Sequence, residues 1–584
     1  MRSTFKVIGT GLIGLAAISL LSIRNAGEQP AQLVKDELIR KTADFETAVH
    51  QLQKARPNEL QRCFREARYA YKKMEWAVEY FDPITARLVN GPPVPEAELN
   101  GKIIQPGGLQ VIERCIYPSL NQRKKLTDQL AQLAINAAKF KEFFQKTDLQ
   151  DWQIIDAIKQ EVFRVEVLGL NDFDDPLQKN CFTESAMAIQ ALQYPLDLYK
   201  ADVTVAPTAY SLQHAVNFTL FDRTSFIKNK ANQLTRGITQ LQTRLRLNKV
   251  RYNRLLNQDA ATLFDKNAFN RNAYTAAPED SATEDKIALG KKLFFDPILS
   301  GNGKRSCATC HQPEKAFTDG LMKNLDVTGK KFIARNTPSL INAALQPAQF
   351  YDLRSPSLED QANDVVGNKD EMHGDMKIAI GKLWHDADYR KLFTKAYPAE
   401  NKVAIDTFEV MNALASYIRS LTLLNSRFDK YMRGDDKALT SAEIAGFNIF
   451  MGKAKCSTCH YLPLFNGALP PRYMQMEAEV IGVPEKRGGH KVDPDPGTYG
   501  IQPLGFNKYA FKTTTVRNTA KTPPYMHNGV FNNLQQVIDF YNRGGAKGEG
   551  IHLPNQTLDE KPLHLTKIEQ TQLIAFIKSL DSAY

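Results

Sequence analysis

From residue 30 to about 265, apolar residues recur three and four positions apart with charged residues between them, the period of an amphipathic helix. Stretches 60–81 and 123–144 carry this pattern most clearly, so residues 30–265 are expected to fold as a helical, bundle-like unit. The run Asn90-Gly91-Pro92-Pro93-Val94-Pro95 interrupts it as a loop. Ahead of this region, Arg2 and Lys6 precede an apolar stretch at 7–23 that Arg24 closes, the layout of an export signal over residues 1–26. Cleavage near Ala26 is expected. An uncleaved N-terminal membrane anchor is the alternative, although the stretch is short for a spanning helix. Residues 266–280, rich in Asn, Ala, Thr, Pro and acids, read as a linker.

Past the linker the texture changes to shorter helices and longer loops rich in Gly and Pro, and a duplication emerges. Ser281 with Glu284 forms a capping-box pattern ahead of a helix at 285–295, and Thr440 with Glu443 repeats it ahead of a helix ending near Phe450. The first leads to Cys307-Ala308-Thr309-Cys310-His311 and the second to Cys456-Ser457-Thr458-Cys459-His460. Each unit closes with a similar segment, Ala415-Ser416-Tyr417-Ile418-Arg419-Ser420-Leu421 in one and Ala575-Phe576-Ile577-Lys578-Ser579-Leu580 in the other. Residues 281–435 and 436–584 are therefore expected to be two copies of one domain.

Two thiols three positions apart can each add to a vinyl group of one haem, and the following His then supplies the proximal nitrogen to iron. A lone C-x-x-C would also suit a redox dithiol or half a zinc site. The appended His, the second copy, the matching helices and the export signal point to covalent c-type haem. Cys307, Cys310 and His311 are expected to hold haem 1, and Cys456, Cys459 and His460 haem 2. A helix, a C-x-x-C-H and a closing helix outline a cytochrome c domain. The expected fold is mainly α, with two cytochrome c-like haem domains preceded by a helical N-terminal domain. Haem of this type is attached outside the cytoplasm, which places the protein in the periplasm. Two haems alone suit a multihaem electron carrier; an open sixth position on one iron makes an enzyme instead.

Over residues 280–584 the sequence resembles the bacterial di-haem cytochrome c peroxidases and their MauG-type relatives. Besides both C-x-x-C-H motifs, the resemblance rests on Arg335-Asn336-Thr337-Pro338-Ser339-Leu340, Gln349-Phe350-Tyr351-Asp352-Leu353-Arg354, Leu358-Glu359-Asp360-Gln361-Ala362, Glu371-Met372 and Thr522-Pro523-Pro524-Tyr525-Met526-His527-Asn528-Gly529. It implies that haem 1 is peroxidatic and that haem 2 relays electrons. In the peroxidases a His in the loop before the Arg-Asn-x-Pro motif often blocks the first haem until reduction. Here that loop, Thr328-Gly329-Lys330-Lys331-Phe332-Ile333-Ala334, has none, which implies an open haem 1, as in the MauG-type enzymes. His373 and His385, the nearest others, are expected in surface or core roles. Glu371 and Gln361 match the family's distal acid–base pair, and a carboxylate in a desolvated pocket has the raised pKa that such a proton shuttle uses; a surface acid is the plain alternative for Glu371. Tyr541 matches the axial ligand of haem 2 in MauG-type enzymes, where peroxidases commonly use Met. A role in the core, with Met526 or Met474 as ligand, is the alternative. Tyr351 stands where the family often has a Trp between the haems, either as a bridge or as a packed ring. Asn336, Thr522 and Pro524 match the ligands of an interdomain calcium, for which hard oxygens in loops are suited. His527 matches a His near the haem 2 pocket.

The resemblance implies a di-haem peroxidase that reduces hydrogen peroxide with electrons from a small donor, a cytochrome c or a cupredoxin; it is compatible with a homodimer. A MauG-type oxidase of an organic or protein substrate is the second reading. Composition narrows the rest. The chain has 584 residues, 43% hydrophobic and 24% charged, which excludes a disordered chain. Its net charge of +11 would suit an acidic partner. However, Arg2, Lys6 and Arg24 belong to the signal, and two haems add about four propionates at neutral pH, so the charge is no argument for nucleic acid. Of seven cysteines, Cys63, Cys115 and Cys181 are left outside the haem motifs, and two of them are free to pair in an oxidising compartment. His50 and His214 are expected to be structural. The helical segment 63–76, dense in charge and aromatics, reads as an amphipathic helix or a docking surface.

Overall fold

The computed structural model describes residues 29–97, 103–250, 254–398 and 404–582. The expected export signal lies outside the described residues. The chain is mainly α-helical, with two cytochrome c-like units following an N-terminal helical region.

The N-terminal region is built on the long helices Pro30–Lys54 and Arg123–Lys146, which pack along each other. Val34, Leu38, Phe45, Val49 and Leu52 line the buried face of the first, a three- and four-residue spacing that makes one apolar stripe. The stretch 60–81 is two helices, Leu60–Lys72 and Glu75–Phe81. The break lets Lys72 turn inward, where its ammonium donates to Glu75 Oε1 at 2.8 Å and to Asp174 Oδ2 at 2.6 Å. Such buried ion pairs cost desolvation but leave no charge orphaned.

The duplication is visible in three dimensions. Helix Glu284–Phe295 crosses Thr407–Ser420, and Ser441–Met451 crosses Lys567–Ser579. Each crossing is made close by a glycine. A Cβ on Gly290 would lie 1.8 Å from Ala413 O, and one on Gly446 would lie 2.0 Å from Gln572 O, so no larger residue fits. Thr440 and Glu443 form the expected capping box, with Glu443 N donating to Thr440 Oγ1 at 3.3 Å and Thr440 N to Glu443 Oε2 at 2.8 Å. In the first copy the cap is Thr283, not Ser281: its hydroxyl accepts from Lys286 N at 3.3 Å, and the helix starts at Glu284. Pro278 sets a short turn, Pro278–Asp280, whose last carboxylate accepts from Ala277 N at 2.9 Å; this turn takes up Ser281 and leaves the cap to Thr283.

The packing joins parts that the sequence keeps apart. One hydrophobic core holds the N-terminal helices together with Phe428, Phe447, Phe450, Phe465 and Phe576 of the second cytochrome unit. The first unit has its own core, around Leu289, Phe294, Val410, Leu414 and Tyr417. The segment 266–280 is not an extended tether, because Ala268, Phe269 and Ala273 are buried in the larger core. Helix Arg427–Met432, ahead of the expected boundary at 435, also packs there, and Asp429 is held by a bidentate bond from buried Arg517 at 2.7 and 2.9 Å. Among the described residues, no helix is long and apolar enough to cross a membrane.

Candidate functional site

Each C-x-x-C-H motif forms a single turn closed by a backbone bond from the His, His311 N to Cys307 O at 3.0 Å and His460 N to Cys456 O at 2.9 Å. His311 Nδ1 lies 3.0 Å from Phe317 O, and His460 Nδ1 lies 3.3 Å from Phe465 O. With Nδ1–H donating to a carbonyl, Nε2 is the lone-pair nitrogen, which is the arrangement of an axial ligand with its tautomer fixed. Burial pushes both imidazoles toward the neutral form, His460 down to about 4. This donor set fits covalent haem in both units.

Around haem 1, Glu371 sits in the turn after helix Leu358–Gly367, near enough to Cys310 to act on its thiol. Burial raises the Glu371 carboxyl, against the opposing pull of Arg354 and Arg305. Its backbone holds it in place: Glu371 N donates to Asn368 O at 3.1 Å, and Arg305 Nη1 donates to Glu371 O at 3.2 Å. The same Arg305 guanidinium binds Leu325 O at 3.0 Å and Asp326 O at 2.7 Å, pinning three segments beside Cys307. Gln361 is half-buried on helix Leu358–Gly367, one turn before Asp364. Among the described residues no hydrogen bond joins Gln361 to Glu371. The neighbouring Glu359 is structural, paired with buried Arg419 at 2.7 and 2.9 Å. The loop lacking a His turns on itself: Asp326 Oδ1 accepts from Thr328 Oγ1 at 2.8 Å and Lys330 N at 3.0 Å, and Phe332 is 70% exposed. His373 and His385 are both exposed.

Around haem 2, helix Leu534–Asn542 buries Ile538 and Phe540 and leaves Tyr541 half-buried beside them. Burial raises its phenol well above the ordinary range, and the neighbouring Cys459 and Cys456 thiols and Glu479 raise it further. Tyr541 therefore lies on the side of the second unit that holds Cys456 and Cys459, packed on the cluster of Val483, Val530, Phe531 and Phe540. Met526 packs against the same cluster, whereas Met474 is 53% exposed. A two-stranded ribbon, Ala478–Glu479 against Phe511–Lys512, closes the other side. It sets Glu479 Oε1 3.6 Å from Cys459 Sγ, the atom that would carry the thioether.

Between the units, Tyr351 O accepts from Lys512 N at 2.7 Å, and the Tyr351 hydroxyl lies 3.5 Å from Asn336 Oδ1. Asn336 N donates to His527 O at 2.7 Å, which ties the Arg-Asn-Thr-Pro segment to the turn holding Thr522 and Pro524. His527 stacks on Phe511 with centroids 3.7 Å apart, and its Nε2 lies 3.3 Å from Asp493 Oδ1. Although burial raises Asp493, hydrogen bonds from His527 and Asn528 hold it well below the usual carboxylate range. The structure thus brings together Tyr351, Asn336 and His527.

Sequence reasoning missed the charged members of this interface. Arg335 binds Asp352 at 2.6 Å in its own unit and Asp495 at 2.7 and 2.9 Å in the other. Desolvation lowers the Lys512 ammonium to about 8, leaving a buried cation suited to an anionic group such as a haem propionate. Arg335 stands within a motif quoted for the resemblance, but its partner lies 160 positions away. Cys63, Cys115 and Cys181 are buried free thiols, so no two of them are paired.

Residues 284–437 match the family described as di-haem cytochrome c peroxidase. The chain is 34% identical over 324 residues to methylamine utilization protein MauG of Methylorubrum extorquens, covering 55% of this chain and 85% of that protein. It is 33% identical over 359 residues to cytochrome-c peroxidase IdrP1 of Pseudomonas sp. (strain SCT), covering 56% and 91%. Among solved structures, a MauG-like protein associated with microbial copper homeostasis is 28% identical with a TM-score of 0.46, covering 52% of this chain and 92% of that one.

Proposed function

Since the chain belongs to the di-haem cytochrome c peroxidase family, which takes in the MauG proteins, and is an oxidoreductase carrying two c-type haems, we propose that it reduces hydrogen peroxide to water at haem 1 with electrons that enter through haem 2. The observation that carries this reading is the desolvated Glu371 carboxyl beside the haem 1 turn, with no imidazole in the loop at 328–334. When bound, haem supplies the iron that accepts peroxide and the redox equivalents that cleave it. The chain's own residues do the rest. His311 and His460 present Nε2 because Phe317 O and Phe465 O hold Nδ1. Glu371 would take a proton from one oxygen of peroxide and return it to the other, which leaves as water. Two electrons and two protons convert one peroxide to two waters. Gln361 orients peroxide, and Arg305 keeps the surrounding loops in register. Tyr351 bridges the two units, with His527 and Lys512 placed to meet propionates. The Asn336 side chain with the Thr522 and Pro524 carbonyls holds calcium at the same interface. A small redox protein, a cytochrome c or a cupredoxin, supplies electrons in the periplasm.

Tyr541, on the side of the second unit that holds Cys456 and Cys459, favours a second reading, a MauG-type oxidase: a hard phenolate ligand stabilises oxidised iron better than a thioether does. Turnover with reduced cytochrome c and peroxide separates the two. Steady donor oxidation with a stoichiometry of two electrons per peroxide supports the peroxidase; peroxide-driven oxidation of an organic or protein substrate with negligible donor turnover supports the oxidase.

A further inference from the structure

The N-terminal region contains a second cluster of ligating groups, remote from the family motifs. Helix Asp151–Arg164 ends in a π-helical turn, Val165–Gly169, a form often found where a functional group must be re-aimed. The loop after it carries Asp172 and Asp175, and the next helix begins with Cys181. One carboxylate oxygen from each Asp and the Cys181 sulfur all lie within 4.8 Å of one another. The three residues are 8%, 0% and 4% exposed.

Two of these groups are orphaned. Asp172 Oδ1 and Asp175 Oδ1 are buried without a hydrogen-bond partner, and Asp175 accepts only through Oδ2, from Asn180 N at 2.5 Å. Arg223, whose Nη2 is buried without a hydrogen-bond partner among the described residues, faces Asp172 and Cys181, and Lys179 and Lys455 act on Asp172 from further out; the other nearby cations are engaged elsewhere. Arg68 is spent on Glu184 at 2.5 and 2.6 Å, and Lys72 and Arg164 are spent on Glu75 and Asp174. Arg223 donates from Nε to Leu170 O at 2.8 Å and lies over the Phe218 ring at 4.4 Å. Among the described residues no salt bridge reaches Asp172 or Asp175, and the single Arg223 guanidinium facing two buried carboxylates and a thiol leaves the cluster short of positive charge if all three ionise, a cost of several kcal/mol. Burial, reinforced by the Asp175 and Asp172 charges, drives the Cys181 proton on; burial, with the Glu184 charge, raises Asp175, and burial raises Asp172 as well. A divalent cation removes that penalty, and a thiolate with two carboxylates is a donor set suited to a zinc-type ion.

We propose that Asp172, Asp175 and Cys181 bind one divalent transition-metal ion of the zinc type, independently of which oxidation the haem pair carries out. On binding, the Cys181 thiol and any protonated carboxyl release their protons to solvent as the metal–ligand bonds form. The site adjoins haem 2 through its own loop. Asn171 Nδ2 donates to Ser457 Oγ at 3.1 Å, between Cys456 and Cys459, and the Phe173 ring meets Tyr461 edge-on at 5.9 Å. Metal occupancy would therefore stiffen the N-terminal loop against the haem 2 attachment turn.

The test uses the full di-haem protein with calcium present and Zn2+ as the probe. Elemental analysis after dialysis is expected to find one zinc per chain. Cys181→Ser and the double variant Asp172→Asn/Asp175→Asn should retain under a tenth of it with both haem irons intact. In the wild type, Zn2+ should slow alkylation of Cys181 at least tenfold while Cys63 and Cys115 are unaffected, a readout that needs no variant to fold. Zinc content equal in wild type and variants, or a Cys181 alkylation rate indifferent to Zn2+, would overturn the proposal.

Discussion

Glu371→Gln isolates proton transfer from structure. The substitution keeps the size and removes the charge. Glu371 is held by its backbone, through Asn368 O and the Arg305 guanidinium, so the loop should stay in place. Burial already disfavours the carboxylate, so a neutral amide should leave stability within about 1 kcal/mol of wild type. General acid–base catalysis contributes about 10²–10⁴-fold, or about 2.7–5.4 kcal/mol of barrier. The bimolecular rate with peroxide, read by stopped-flow absorbance, should fall by that factor with two haems retained. The pH dependence provides a second check. The carboxylate form takes the proton, and its pKa is raised, so the wild-type rate should fall on acidification at a pH above the ordinary Glu value of about 4.3. That limb should vanish in the variant. A rate within threefold of wild type, with the acid limb preserved, would refute the shuttle role.

Tyr541→Phe should change the absorption and magnetic spectrum of haem 2 while leaving haem 1 as it is; unchanged spectra would make Tyr541 a packing residue only. Gly446→Ala and Gly290→Ala force a methyl against Gln572 O and Ala413 O, so each should cost about 1–3 kcal/mol or more, read as a lower unfolding temperature and reduced haem incorporation. Arg335→Met strands Asp495 and leaves Asp352 to Arg354 alone. Breaking a fully buried pair costs about 3–5 kcal/mol, and the 20% exposure of the Arg335 side chain scales this to roughly 1–3 kcal/mol. Adding Asp495→Asn should recover part of that loss in denaturant unfolding, and no recovery would show that the bridge is not the cause.

The duplicated units were legible because their chemistry is local. A C-x-x-C-H turn, the Thr440–Glu443 capping box and the closing helices each lie within a few residues of sequence. The cap of the first helix was misplaced by two residues because Ser281 and Thr283 can both cap, and only the turn at Pro278–Asp280 decides between them. Long-range features were not legible. The 60–81 stretch keeps its apolar period across the break at Lys73, and what bends it is Lys72 reaching Asp174, 102 positions away. The shared core of the N-terminal region and the second cytochrome unit depends on pairings such as Asn171 with Ser457, 286 apart. The site followed the same rule. The C-x-x-C-H turns were readable from spacing, whereas the Arg335–Asp495 bridge and the desolvated Lys512 exist only once the two units meet.

The account rests most heavily on an open iron at haem 1 in the protein as isolated. Electron paramagnetic resonance of the oxidised protein, without prior reduction, tests this directly. One high-spin ferric haem beside one low-spin haem is the predicted spectrum, with the high-spin signal lost on adding peroxide. Two low-spin haems would contradict the claim and leave an electron carrier or an enzyme that must first be reduced.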